Sequence, residues 1–246
     1  MSAILDFLAF GAHPDDVELG CAASLYKQQT LGYQTGIIDL TLGEMGTRGT
    51  VEIRLQEAQN AKEILKASVR ENLKLPDGFL NPNDIEQKHK IITALRKHRP
   101  TVVLCNAPTD RHPDHGNGHQ LVVESCFLAG LAKIETVDED GNQQLPWRPK
   151  SILSYIQDRF IMPDVILDVS EIYNIKEKSI LAHKSQFFDP ESKETQTYIS
   201  SPKFLDYVKA RDTEFGRMIA CEYGEGFISI KKPALKDLMN IVPELY

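Results

Sequence analysis

The chain opens on an almost unbroken apolar run, Ile4 to Phe10, of the kind that forms a strand buried on both faces of a parallel sheet. The run halts at Gly11-Ala-His-Pro-Asp-Asp16. Val17, Cys21, Ser24, Leu25 and Gln28 then recur at three- and four-residue spacing, which predicts a helix ending near Gly32. Gln34–Leu40 reads as a second strand, Thr41–Thr50 as a glycine-rich loop and Val51–Ser68 as a strongly amphipathic helix. A short strand is expected around Leu73–Leu75 and a helix over Asp84–His98, closed by Pro100. A buried strand over Thr101–Cys105, a polar loop from Asn106 to Gly118 and a helix from about His119 to Leu131 follow. Strands are also predicted over Ile152–Ile156 and Val165–Val169, helices over Glu171–Lys184 and Lys203–Met218, and a last edge strand over Phe227–Ile230. Residues 134–150, acidic and rich in turn formers, read as an exposed excursion from one domain spanning 1–246.

This alternation predicts an α/β chain with a Rossmann-like, doubly wound, mostly parallel sheet. The polar loops after Phe10, Leu40, Leu75 and Cys105 all leave the carboxyl ends of strands. That edge is where open α/β sheets bind their ligands.

Composition narrows the classes. With 41% hydrophobic and 26% charged residues among 246, the chain is not a mostly disordered one. Against 35 Asp+Glu there are 28 Lys+Arg and no basic blocks, so no nucleic-acid partner is expected. No apolar run nears the ~20 residues that cross a bilayer, and no membrane partner is expected. The first residues lack a basic region and place Asp6 inside the apolar stretch, unlike a signal peptide. Cys21, Cys105, Cys126 and Cys221 are scattered, as in a reducing compartment, so a cytoplasmic location is expected.

Two loops carry the chemistry. In His13-Pro14-Asp15-Asp16, His13 and Asp16 lie three apart, so one turn can aim both at one ion. Asp15 must point elsewhere and is free to act as a base; the alternative is that it caps the helix. The loop after the fourth strand reads Asp110-Arg111-His112-Pro113-Asp114-His115, with His119 beyond. Two His-Pro-Asp turns at one sheet edge supply His13, Asp16 and a histidine of the second loop as three ligands. Three protein ligands and an open position are the pattern of a catalytic zinc site. Arg48, Arg54 and Arg111 fall in strand-end loops or at a helix start and are candidates for binding substrate carboxylates. For Arg54 the alternative is an ion pair with Glu57 or Asp77. Asp77 is either a turn former or an acceptor for sugar hydroxyls.

Ala12-His-Pro-Asp-Asp16 together with His112-Pro-Asp-His115, and with Ala182-His-Lys-Ser-Gln186, resembles the LmbE-like (PIG-L) zinc N-deacetylases over nearly the whole chain. Gly46-Thr-Arg-Gly-Thr-Val-Glu-Ile-Arg54, Leu75-Pro-Asp-Gly78 and Tyr223-Gly-Glu-Gly-Phe227 are most similar to the bacillithiol-biosynthesis members, which deacetylate N-acetylglucosaminyl-malate. Gly224 stands where an alanine is expected in that group. The resemblance implies His13, Asp16 and His115 as ligands of Zn2+ (Fe2+ or Co2+ suit the same set), Asp15 as general base and His112 as stabiliser of the oxyanion, a role in which His112 is expected to be protonated. Asp114 would orient an imidazole or cap the helix, and a homo-oligomer, a hexamer, is implied. His119, sharing a helix face with His115, is an alternative ligand. His183 is either near the pocket or a core histidine. His89 and His98, set among Lys and Arg, read as surface residues. Phe187, Phe188 and Tyr223 line a sugar site or pack the core. The expected activity is hydrolysis of the N-acetyl group of an N-acetylglucosaminyl conjugate. A phosphoester hydrolase with two bridged ions and a non-catalytic sugar-binding module are the rivals.

Overall fold

A computed structural model describes residues 4–241. Seven strands, β1 (Phe7–Gly11), β2 (Thr35–Thr41), β3 (Val69–Leu75), β4 (Val102–Asn106), β5 (Ser151–Tyr155), β6 (Val165–Asp168) and β7 (Gly224–Ser229), form one sheet. Their order is β3-β2-β1-β4-β5-β7-β6. The first five pair parallel, and β7 runs antiparallel to both β5 and β6. This is the expected single-domain, mostly parallel α/β fold.

Strand alternation sorts the core into two layers. Leu8 and Phe10 of β1 with Ile38 and Leu40 of β2 face one way, onto Ile91 and Leu95 of α3 (Ile85–His98) and Leu121 and Val122 of α4 (Pro113–Leu128). Ala9 and Ile37 face the other way, onto Val17, Ala22 and Leu25 of α1 (Asp16–Thr30) and Leu65 of α2 (Val51–Leu65). Two further helices, α5 (Tyr173–Leu181) and α6 (Phe204–Met218), complete the fold. Phe215 of α6 packs on β7 at Gly226, where a Cβ would stand 2.8 Å from its ring.

Four expectations are corrected. The segment read as an edge strand at Phe227–Ile230 is β7, inserted between β5 and β6. Its Gly-Glu-Gly start carries no apolar signature of an interior strand. The third strand begins at Val69 rather than Leu73, because the true edge strand carries Arg70, Glu71 and Asn72. Helix α4 begins at Pro113 rather than His119: Pro at the first helical turn lacks an N–H that would go unpaired, and His112 caps it. His98 is 1% exposed, its Nε2 3.1 Å from Glu71 Oε1.

Residues 134–150 carry an antiparallel bridge between Val137 and Gln143. Arg96 ties the start of the segment down by donating to Ile134 O and Thr136 Oγ1, and it also donates to the preceding carbonyls of Ala129 and Leu131. Among the described residues no helix is long and apolar enough to cross a membrane.

Candidate active site

The loops after β1, β2, β3 and β4 converge on a cavity of about 170 Å3. The first of them is backbone-driven. Ala12 N–H donates to Asn106 Oδ1 at the end of β4, at 2.9 Å, and His13 N–H donates to Asp16 Oδ2 at 2.9 Å. Between them Asp15 sits at φ 125, a conformation L residues rarely adopt, at a cost of about 1–3 kcal/mol. Its side chain makes no helix-capping bond, so it is free for the cavity it lines. Arg54 bridges this turn to the loop after β2, donating to Gly43 O at 2.8 Å and Pro14 O at 3.2 Å. Its Nη2 lies 3.9 Å from Asp15 Oδ2. Gly43 is required here, since at φ +67 its missing Cβ would stand 2.1 Å from that guanidinium.

Asp16 is the hub. Its Oδ2 lies 3.5 Å from His13 Nδ1, and its Oδ1 lies 3.2 Å from His115 Nε2. Asn106 Nδ2 donates to Oδ2 at 3.1 Å and Gln157 Nε2 donates to Oδ1 at 2.7 Å. The ring nitrogens of His13, His112 and His115 offer one atom each within 4.8 Å of one another. The other nitrogen of His13, Nε2, meets Asp77 Oδ1 at 3.0 Å, with Asp114 Oδ2 at 3.6 Å. Both oxygens of Asp114 also accept backbone N–H groups, from Gly78 and Leu80, so it fastens the loop after β3.

The electrostatics follow from burial and neighbours. Burial is the largest influence on Asp15 and pushes its carboxyl up to about 6, with Asp16 adding to the rise and Arg54 opposing it. Burial also pulls His112 down, reinforced by His13 and His115. Because His112 Nδ1 accepts the Asp114 N–H at 3.2 Å, its proton resides on Nε2. For His115, burial pulls down but Asp16 and Asp110 outweigh it, raising the ring to about 9.

The remaining expected residues divide. Arg111 lines the cavity at its rim, 42% exposed, with its Nε 3.4 Å from Asp158 and its guanidinium 4.5 Å from the Tyr198 ring. Arg48 is outside the cavity: it donates to Ser185 O at 2.9 Å and Ser192 Oγ at 3.0 Å. Neither Glu57 nor Asp77 pairs with Arg54. Glu57 instead accepts from Ser185, and both oxygens of Asp77 are taken, by His13 and by Met45 N–H. His119 turns under the sheet, its Nδ1 3.0 Å from Asn106 O and 3.1 Å from Ser154 Oγ. His183 is fully buried, its Nε2 3.4 Å from Glu18. Phe187 packs on Phe204, Tyr223 stacks on Tyr173, and neither they nor Phe188 line the cavity.

Neither Asn106 nor Gln157 is among the expected site residues, and Gln186, the end of the Ala182–Gln186 segment, lines the cavity. Gln157 follows β5 at the same carboxyl edge, so the edge rule applied to a fifth strand would have found it. A larger hollow of about 850 Å3 lies beneath the 134–145 segment, but its Glu71, Lys97 and Glu139 pair with one another and it holds no histidine.

The model of the family PIG-L, GlcNAc-PI de-N-acetylase, matches residues 8–126, which contain both histidine motifs. The uncharacterized deacetylase YaiS of Escherichia coli is 32% identical over 189 residues, 72% of this chain and 90% of the relative. The diacetylchitobiose deacetylase of Thermococcus kodakarensis is 28% identical over 89% of this chain and 80% of the relative. A conserved protein of Thermus thermophilus superposes with a TM-score of 0.83 at 34% identity, over 96% of this chain and 99% of that one. The chain belongs to the PIG-L, or LmbE-like, deacetylase family. It is an enzyme acting on N-acetyl amide bonds.

Proposed function

We propose that the chain hydrolyses the N-acetyl group of an N-acetylglucosaminyl conjugate, with His13, Asp16 and His115 holding a divalent ion. The observation that carries this reading is the arrangement about Asp16: two imidazole nitrogens lie 3.5 and 3.2 Å from its two oxygens. Each contact is roughly the separation of two ligands held at 2.0–2.2 Å on one tetrahedral ion, with His13 and His115 set against different oxygens of Asp16. The donor set, two histidines and a carboxylate without cysteine, suits Zn2+, Fe2+ or Co2+. When bound, such an ion polarises an amide carbonyl and lowers the pKa of a water toward ~7.

The chain supplies the rest. Asp15, with a carboxyl pushed up to about 6, is a base matched to neutral pH and can return the proton to the departing amine. His112 offers Nε2–H to the oxygen that gains charge as the amide carbon becomes tetrahedral, and it does so as a neutral donor rather than an imidazolium. Arg54 holds the strained Pro14–Asp15 peptide in place.

Within this class the malate conjugate of the bacillithiol route is the finer reading. It is supported by Arg111, a rim guanidinium that can exchange Asp158 for a substrate carboxylate. The relative named for diacetylchitobiose supports a second reading, a neutral disaccharide. Acetate release from N-acetylglucosaminyl-malate, diacetylchitobiose and N-acetylglucosamine separates them. On the malate reading Arg111→Ala lowers kcat/KM for the malate conjugate roughly 10–150-fold, the loss of one charge-assisted bond of ~1.5–3 kcal/mol. It leaves plain N-acetylglucosamine nearly unaffected. Equal losses on both, or a wild-type preference for the disaccharide, would reject the malate reading.

A further inference from the structure

His115 carries two ring nitrogens with different neighbours. Nε2 faces Asp16 Oδ1 at 3.2 Å, while Nδ1 faces Asp110 Oδ2 at 2.7 Å. Asp110 has 1% of its side chain exposed, and its other oxygen is also committed. Oδ1 accepts the N–H of Arg111 at 2.8 Å and the N–H of Arg159 at 3.0 Å. An ionised carboxylate is an acceptor only, so the bond at 2.7 Å requires the proton on Nδ1. Nδ1 is thereby committed to Asp110, and Nε2 is the nitrogen left to face Asp16 and to serve as the donor once an ion displaces its proton.

We propose that Asp110 is a positioning residue that fixes His115 as an Nε2 metal donor and ties that histidine to the loop after β5. The proposal rests on the metal reading of the site and goes beyond it in assigning a dedicated partner. The second half follows from Arg159. That loop also holds Gln157, which donates to Asp16, and Asp158, which faces Arg111. One carboxylate therefore anchors a candidate ligand, the loop that steadies a second ligand, and the cavity rim. A latch that served only the loop would need Oδ1 alone. The short bond from Oδ2 to the ring is the feature such a latch leaves unexplained.

A partner of this kind orients the ring and raises its basicity, and its loss typically costs 10–100-fold in metal affinity. The test measures zinc affinity by competition with a chromophoric chelator. Asp110→Asn, which keeps shape but loses the obligatory acceptor, is expected to bind zinc 10–100-fold more weakly than wild type, with a near-native unfolding midpoint. Arg159→Ala is the control, since only its main chain meets Asp110, and its zinc affinity should match wild type. Unweakened binding in Asp110→Asn overturns the proposal. Ring 15N correlation spectra of the zinc-loaded wild type decide independently of any variant. A proton on His115 Nδ1 supports the assignment, and one on Nε2 overturns it. A wild type that binds no zinc overturns the metal reading and this proposal together, whereas a zinc-binding wild type with unweakened Asp110→Asn overturns this proposal alone.

Discussion

Asp15 and His112 are the residues at which buried chemistry is poised for protons and charge, and each has a separable signature. Asp15 is buried, held at φ 125, and shifted upward chiefly by burial. Asp15→Asn removes the base without removing a candidate ligand. Zinc content should stay at wild-type level, while the rate of acetate release falls ~10²–10⁴-fold. His112→Ala should also keep its metal and lose kcat with little change in KM, because its Nε2–H has a partner only when the oxyanion forms. Near-normal turnover in Asp15→Asn would assign the proton to another group. These residues were legible because each lies in one of two contiguous motifs, so local sequence already brings imidazole and carboxylate together. The supports of Asp16 were not. Asn106 and Gln157 are 90 and 141 residues away, and neither amide stands out in composition. Asp77 was legible as a residue and misleading as a role, since the free oxygens a sugar would need are taken by His13 and Met45.

At the scale of elements, helix α1 shows how distant charges repair a local defect. Cys21, at φ −150 and ψ 22, breaks the helical path and frees the N–H groups of Ala23 and Ser24. Glu225 of β7 accepts both, at 3.2 and 2.7 Å. Its charge is balanced by Lys176 of α5, fully buried, whose Nζ lies 2.8 Å from Glu225 and 2.8 Å from Asp212 of α6. One ammonium thus joins α1, α5, α6 and β7. Lys176→Met would leave the buried Glu225 without its cation and Asp212 with Arg211 alone. Breaking a buried pair this way costs about 3–5 kcal/mol. Urea unfolding should show that loss, and a change below about 1 kcal/mol would mean that Arg211, 2.8 Å from Asp212, carries the balance instead. None of this was visible in sequence. Lys176 and Asp212 sit in amphipathic helices where charged residues ordinarily mark the solvated face, and Glu225 lies between two glycines with no apolar pattern around it to mark it as interior. Among the parallel strands, β1, β2 and β4 were by contrast legible as runs rich in apolar residues, while the polar edge strand β3 was legible only at its end.

The whole molecule is two apolar layers on one sheet, and between the sheet and the α1–α2 layer lies a second set of buried charges. Arg70 of β3 donates to Glu18 of α1 at 2.6 Å and to Asp39 of β2 at 2.9 Å. Two carboxylates share one guanidinium, and they respond in opposite senses. For Glu18, burial raises the carboxyl but Arg70 and His183 outweigh it, and the group settles at about 2. For Asp39, burial outweighs Arg70 and the carboxyl lies above its ordinary value. A carboxyl depressed on folding contributes stability that is complete above its unfolded pKa, near 4.5, and is lost as pH falls through the folded value, near 2. A raised one contributes in the reverse direction, so the acid response of the wild type is a difference between the two. Glu18→Gln isolates the first. At pH 7 the variant should be less stable by about 3 kcal/mol, the linkage value of a shift from 4.5 to 2 at 1.36 kcal/mol per unit. The gap should hold down to pH 4.5 and then close toward pH 2, where the wild-type carboxylate is itself protonated. Urea midpoints of both proteins across that window measure it. A gap that stayed constant with pH would mean that Glu18 stabilises by shape and hydrogen bonding alone. Arg70 would then owe its place to Asp39, and the layer would be held by one ion pair rather than a shared guanidinium.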